Sequence, residues 1–224
     1  MLTLIVVYAS AAIRLGQAAA PPLGADALAV LRVVHRAAAS LEVVVALLLA
    51  WLAWRARDEK PQLARAVGLV LVLTIFLSVL GVAAGRTPPP AAALGNVLGG
   101  LALVAAFAWI LGGLRARAPL PGNRASLPAA VLLAAQCALG ASLATLPGAW
   151  VWAAIPAHGI LGIVLAAMML LLLRRAAGVA LACAVPLAGF SVLHLDDSAF
   201  AAFAHAAAAA LLLVVAAHAR LRAA

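Results

Sequence analysis

Polar residues along this chain are confined to short clusters, and long apolar runs separate them. The clusters read APPLGAD, RDEKP, GRTPPP, RARAPLPGN, LPG, RRAAG and LDDS, rich in the Gly, Pro and charged residues that end helices. The runs between them are mostly about 18 residues or longer, enough to cross a bilayer as a helix. Lipid admits only helices or closed barrels, because every backbone polar group must be paired internally. Strict apolar–polar alternation is absent and Ala and Leu dominate, so the runs read as helices. The spacing predicts helices over residues 2–19, 28–54, 63–85, 91–114, 127–146, 150–173, 177–195 and 198–219. Such short connections make consecutive helices antiparallel neighbours. The expected fold class is an all-α integral membrane protein of about eight transmembrane helices.

Composition agrees with this pattern. Of 224 residues, 68% are hydrophobic and 9% charged, too few charges to cover a soluble domain of this size. The net charge of +9 does not point to nucleic acid, because the basic residues sit between spans and no aromatic-plus-basic pattern for stacking bases is visible. One side gathers Arg55, Arg57, Lys60, Arg65, Arg115, Arg117, Arg124, Arg174, Arg175, Arg220 and Arg222, eleven of the 15 basic residues. Positive loops stay inside, so that side and both termini are expected to be cytoplasmic, with a bacterial inner membrane as the location. Asp26, Asp196 and Asp197 fall on the other side. Arg14, Arg32, Arg36 and Arg86 depart from the rule at outer helix ends. They snorkel to the interface, or they neutralise an anionic ligand there. Cys137 and Cys183 lie inside apolar runs and read as small packing residues. The opening stretch lacks the basic start of a secretory signal and is expected to remain as a first helix.

The histidines follow a register. His35, His158 and His205 each lie about eight or nine residues into an even-numbered helix, hence at similar depth in the outer part of the bilayer. Asn96 holds the corresponding place in the fourth helix. SVLGVAAG in the third helix matches CALGASLA in the fifth. Residues 1–117 and 118–224 therefore read as two pseudo-repeated four-helix bundles. Imidazole inside lipid is costly and needs a partner. Two facing imidazoles at one depth can axially ligate a haem iron, and His158 and His205 are the candidate pair. Gly159 and Gly162 beside His158, and the alanines around His205, make room for a flat macrocycle. Zinc or copper would require further ligands at this level. His194 and His218 read as interfacial residues, the latter at a helix C-terminus that favours a cation.

At these residues the chain resembles the haem A synthase family of cytochrome oxidase assembly proteins. VLRVVHRAAASLEVVVALLLAWLAWR resembles the family's second helix with its His-Arg pair, here His35 and Arg36. AAQCALGASL resembles its Gln-x-x-Leu-Gly element, here Gln136, Leu139 and Gly140. IPAHGILGIVLAAMMLLLLRR and AFAAFAHAAAAALLL resemble the sixth and eighth helices with His158 and His205, and AIRLG with Arg14 looks like the end of the first. The resemblance implies a haem b (heme b) held by His158 and His205 in the C-terminal half. It implies a substrate half in which a methyl group of haem O becomes the formyl of haem A, with His35 as one ligand. Arg36, with Arg14, Arg32 or Arg86, would pair with haem propionates. Haem O synthase and cytochrome oxidase assembly factors are the implied protein partners.

The chain also departs from the family. Arg32 stands where the family has a Glu, Asn96 where it has a second histidine, and AAAPPLGAD where it has a Cys-Pro-Asp-Trp-Pro loop. Glu42, seven residues after His35 and on the same helical face, is either a displaced catalytic substitute or a residue paired or protonated inside the bundle. These departures favour a second reading, a non-catalytic haem b electron-transfer or haem-handling protein. A duplicated transporter is a third, opposed by the scarcity of mid-membrane polar residues and of broken helices.

Overall fold

A computed structural model describes residues 1–18, 22–85, 87–115, 126–172, 176–194 and 198–220. Eight helices and no strands are present among them: α1 Leu2–Ala18, α2 Ala25–Arg55, α3 Pro61–Ala84, α4 Pro90–Arg115, α5 Ser126–Thr145, α6 Val151–Leu172, α7 Ala176–His194 and α8 Ser198–Arg220. Every predicted helix is there, with ends within three residues of expectation. The largest difference is the start of α2. It begins at Ala25 because Gly24 releases the chain into a first turn that carries Asp26, a charge suited to the positive end of a helix. α3 and α4 both begin on a proline, whose missing N–H costs nothing at a first helical position. α3 stops at Gly85, whose φ of 65° other residues rarely adopt.

Helices α1 to α4 touch in a closed ring, each against the next and α1 against α4. Helices α5 to α8 do the same, with α5 against α8. Helices α1 and α4 then pack on α8, and α4 on α5. The expected division at residue 117 falls outside the described residues. So do Arg86, Arg117, Arg124, Arg174, Arg175, Arg222, Asp196 and Asp197, and the side chains of Arg115, His194, His218 and Arg220.

The packing is that of a protein dissolved in lipid. More than half of the buried apolar residues are alanines, among them Ala38, Ala46 and Ala53 along one face of α2. Large apolar side chains such as Leu69, Phe76, Val82, Ile160 and Leu171 point outward. Lipid tails are as apolar as leucine, so nothing drives large side chains inward, and small residues let helices approach. Larger residues fill one centre in each half: Val67, Val70, Leu103 and Ile110 in the first, Leu133, Leu165, Met169 and Leu212 in the second. Four helices, Ala25–Arg55, Pro61–Ala84, Pro90–Leu111 and Val151–Leu171, are long and apolar enough to cross a bilayer. Within the described residues the other four helices form shorter apolar segments.

Candidate functional site

Helices α6 and α8 lie diagonally across the second ring, separated by α5 on one side and α7 on the other. Each carries its histidine seven residues past its first residue, so the rings arrive at one depth. The imidazoles of His158 and His205 meet edge to face, with centres 5.9 Å apart and planes at 79°. Both residues are half-buried.

The flanking helices position both rings. His205 Nδ1 donates to the carbonyl of Val185 on α7 at 2.9 Å. A carbonyl only accepts, so Nδ1 carries a proton here and Nε2 is the nitrogen left out of this bond. Gly189, one turn further along α7, makes this approach possible: a Cβ there would stand 3.1 Å from both Nδ1 and Cε1. Pro186 adjoins Val185 inside the same helix and removes one backbone hydrogen bond from it. Helices α5 and α6 make a reciprocal pair. His158 lies on Gly140 of α5, where a Cβ would meet its Cε1 at 2.8 Å. Gln136 of α5 lies on Gly162 of α6, where a Cβ would meet its Nε2 at 3.0 Å. The Gln136 amide donates to the His158 carbonyl at 3.0 Å and lies 3.4 Å from His158 Nε2. The second distance is long for a hydrogen bond. His158 Nδ1 and Gln136 Oε1 are buried without a partner. Each such orphan costs about 1–3 kcal/mol, and sites that receive a ligand are where native structures tolerate them.

Two imidazole donors thus stand together at one level, their rings edge to face. No group of three His, Cys, Asp or Glu stands together among the described residues; two imidazoles are the number of protein donors that a haem iron can take. Open clefts of about 390 and 370 Å³ lie at the α2–α3 turn and on α3, away from the histidines. A macrocycle at the pair therefore requires the small-residue walls of this half to part around it.

The first half is arranged differently. His35 Nδ1 donates to the Val6 carbonyl of α1 at 3.1 Å, the same device that fixes His205 on α7. Asn96 is half-buried on α4, the diagonal helix of this ring, and no hydrogen bond links it to His35. Glu42 is buried and accepts from the Thr3 hydroxyl. His35 and Glu42 lie about 10 Å apart along α2, each bonded separately to α1. Arg36 is exposed and Arg32 half-buried. Arg14 is half-buried with an Nε that finds no partner, about 12 Å along α1 from the level of Val6. Tyr8 of α1 bridges the halves: its hydroxyl donates to the Ala207 carbonyl at 3.3 Å and its ring meets Phe203 of α8. Cys137 and Cys183 are free thiols.

The chain matches no family model, no curated protein and no solved structure.

The two histidines that the sequence sets in one register stand together in the fold, but sequence reasoning missed three polar contacts. Thr3 and Tyr8 are isolated polar residues in the apolar run of α1, and the expense of a bare hydroxyl in lipid was the available signal. The Val185 carbonyl had none, because a backbone group is silent in sequence.

Proposed function

We propose that this chain is a haem A synthase-like membrane haemoprotein. Its C-terminal half holds haem b between His158 and His205. Its N-terminal half presents His35 to haem O, whose methyl group is oxidised to the formyl of haem A for cytochrome oxidase assembly. All eight helices cross a bacterial inner membrane in this reading, with both termini inside and two pseudo-repeated halves. Haem O synthase or cytochrome oxidase assembly factors supply the substrate or take the product.

The observation that carries the reading is the facing pair on diagonal helices at 5.9 Å, with His205 held by a backbone carbonyl so that Nε2 stays free. A bound haem supplies the one-electron and oxygen chemistry that side chains lack. The protein's part is orientation. Val185 fixes the His205 ring, Gln136 holds the backbone of His158, Gly140 and Gly189 let the two rings lie back against α5 and α7, and the apolar exterior keeps water away. Arg36 and Arg14 lie toward the outer end, where propionates would be neutralised. Glu42 is the carboxyl inside α2 available to move a proton in the substrate half.

Asn96 favours a second reading. An amide is a poor iron ligand, so the first half has one imidazole where the family resemblance calls for two. A chain that kept haem b and lost the substrate site would serve in electron transfer or haem handling.

Reduced-minus-oxidised spectra and pigment extraction test both. Wild type is expected to show a b-type haem, lost in His158→Ala and in His205→Ala and kept in His35→Ala. A haem-free wild type would sink both readings. Co-expression with a source of haem O separates them: haem A that disappears in His35→Ala supports the enzyme, and its absence in wild type supports the relic.

A further inference from the structure

The turn between α2 and α3 carries a feature that haem binding does not use. A cleft of about 390 Å³ opens there, lined by Trp54, Arg57, Asp58, Pro61, Ala64 and Arg65. Two arginines and one aspartate line it. Arg57 is held from behind: it stacks on Trp54 with 4.6 Å from guanidinium carbon to ring centre, donates to the Trp54 carbonyl at 3.2 Å, and stands 3.8 Å from Asp58. That leaves further N–H donors of its fork free. Arg65 is exposed and pairs with no carboxylate among the described residues. A turn earlier, Arg55 lies over Trp51 at 5.2 Å. Trp51 and Trp54 are both more than half exposed, beside the apolar outer face of α2 that includes Leu47 and Leu48.

Tryptophans of this kind mark the headgroup level of a bilayer. An arginine-lined cleft between two spans at that level matches a phosphodiester above and acyl chains along the helices below. We propose that this cleft binds the headgroup of an anionic glycerophospholipid, with its phosphate between Arg57 and Arg65 and its chains along the exposed faces of α2 and α3. The site is independent of the histidines and stands or falls without them.

The test is native mass spectrometry of the full chain carrying phosphatidylglycerol or phosphatidylcholine, one lipid at a time. Phosphatidylglycerol is expected to be retained preferentially. Each cation near a membrane surface is worth about fivefold in binding, so R57Q/R65Q is expected to lower retention by roughly thirtyfold. Asp58→Asn removes the competing carboxylate and is expected to raise retention by about fivefold, a gain that a damaged fold cannot mimic. Equal retention of the two lipids overturns the proposal, as does an unchanged affinity in both variants. Complete displacement of the lipid by millimolar inorganic phosphate also overturns it, because that assigns the cleft to a soluble anion.

Discussion

Three glycines near the histidines differ in one respect, the space a methyl group would find. At Gly159 a Cβ meets nothing within 4 Å. At Gly189 it would lie 3.1 Å from His205 Nδ1 and Cε1, and at Gly140 2.8 Å from His158 Cε1. Ordinary carbon contacts begin at about 3.5 Å, so the alanine variants displace the imidazole by about 0, 0.4 and 0.7 Å in that order. A ligand site tolerates about 0.5 Å of error. Gly159→Ala is therefore expected to keep full haem content, Gly189→Ala to keep haem with a perturbed spectrum, and Gly140→Ala to lose most of it. Helix propensity runs the other way, because alanine is favoured over glycine by about 1 kcal/mol within a helix. Loss of haem at position 140 should thus come without loss of the apo-fold. The assay is haem per protein by pyridine haemochrome, beside helical content and thermal unfolding of the same preparations. Full haem content with an unaltered spectrum in Gly140→Ala would refute the geometry, as would a loss in Gly159→Ala equal to that in Gly140→Ala.

Thr3→Val strips buried Glu42 of its donor and is expected to cost about 1–3 kcal/mol, whereas T3V/E42L, which removes both partners, should recover most of it; an unchanged melting temperature in Thr3→Val would remove Thr3 from the account. Tyr8→Phe keeps the ring against Phe203 and loses only the bond to Ala207, so it should lower the unfolding midpoint by about 2–4 °C, and Tyr8→Ala by clearly more, read by thermal unfolding in detergent. Asn96→His places an imidazole on the helix diagonal to His35 and is expected to raise haem content above that of wild type; a pigment yield equal to wild type would show that the first half lacks the spacing for a second axial ligand.

The helices were legible because lipid makes a blunt demand. A span needs a long apolar run, and its ends need charge, Gly or Pro, so Pro61, Pro90 and Gly85 mark boundaries that the fold then keeps. The inner and outer faces were not legible. In water an amphipathic stripe reveals which side packs, but here both faces are apolar. The partition of Ala38, Ala46 and Ala53 inward and Leu47, Leu48 and Leu52 outward is one of size, which hydropathy does not rank. The histidine pair was legible from register alone, since two helices starting at one level carry His158 and His205 at equal offsets. Its supports were less so. Gln136 stood out only as part of a resemblance, and nothing in the sequence tied it to His158 or to Gly162.

The two halves share one device and differ in what opposes it. His35 and His205 each donate Nδ1–H to a carbonyl on the preceding helix, Val6 of α1 and Val185 of α7. Each ring is thereby held in a fixed direction without any charged partner, and a carbonyl is the acceptor that lipid leaves in supply. Across the second ring from His205 stands His158, backed by Gly140 and with its backbone carbonyl held by Gln136. In the proposed reading, His158 and His205 would hold a haem iron that has no further position for oxygen or substrate and would suit the passing of electrons. On α4, the diagonal helix of the first ring, the corresponding residue is the half-buried Asn96, whose amide would be a poor iron ligand. Reactions at a haem's own periphery or at its iron need an open side, so the missing second histidine is compatible with turnover in the first half as well as with its loss. Under the proposed function, this asymmetry would give electron transfer to His158 and His205 and any oxidative step to the side of His35.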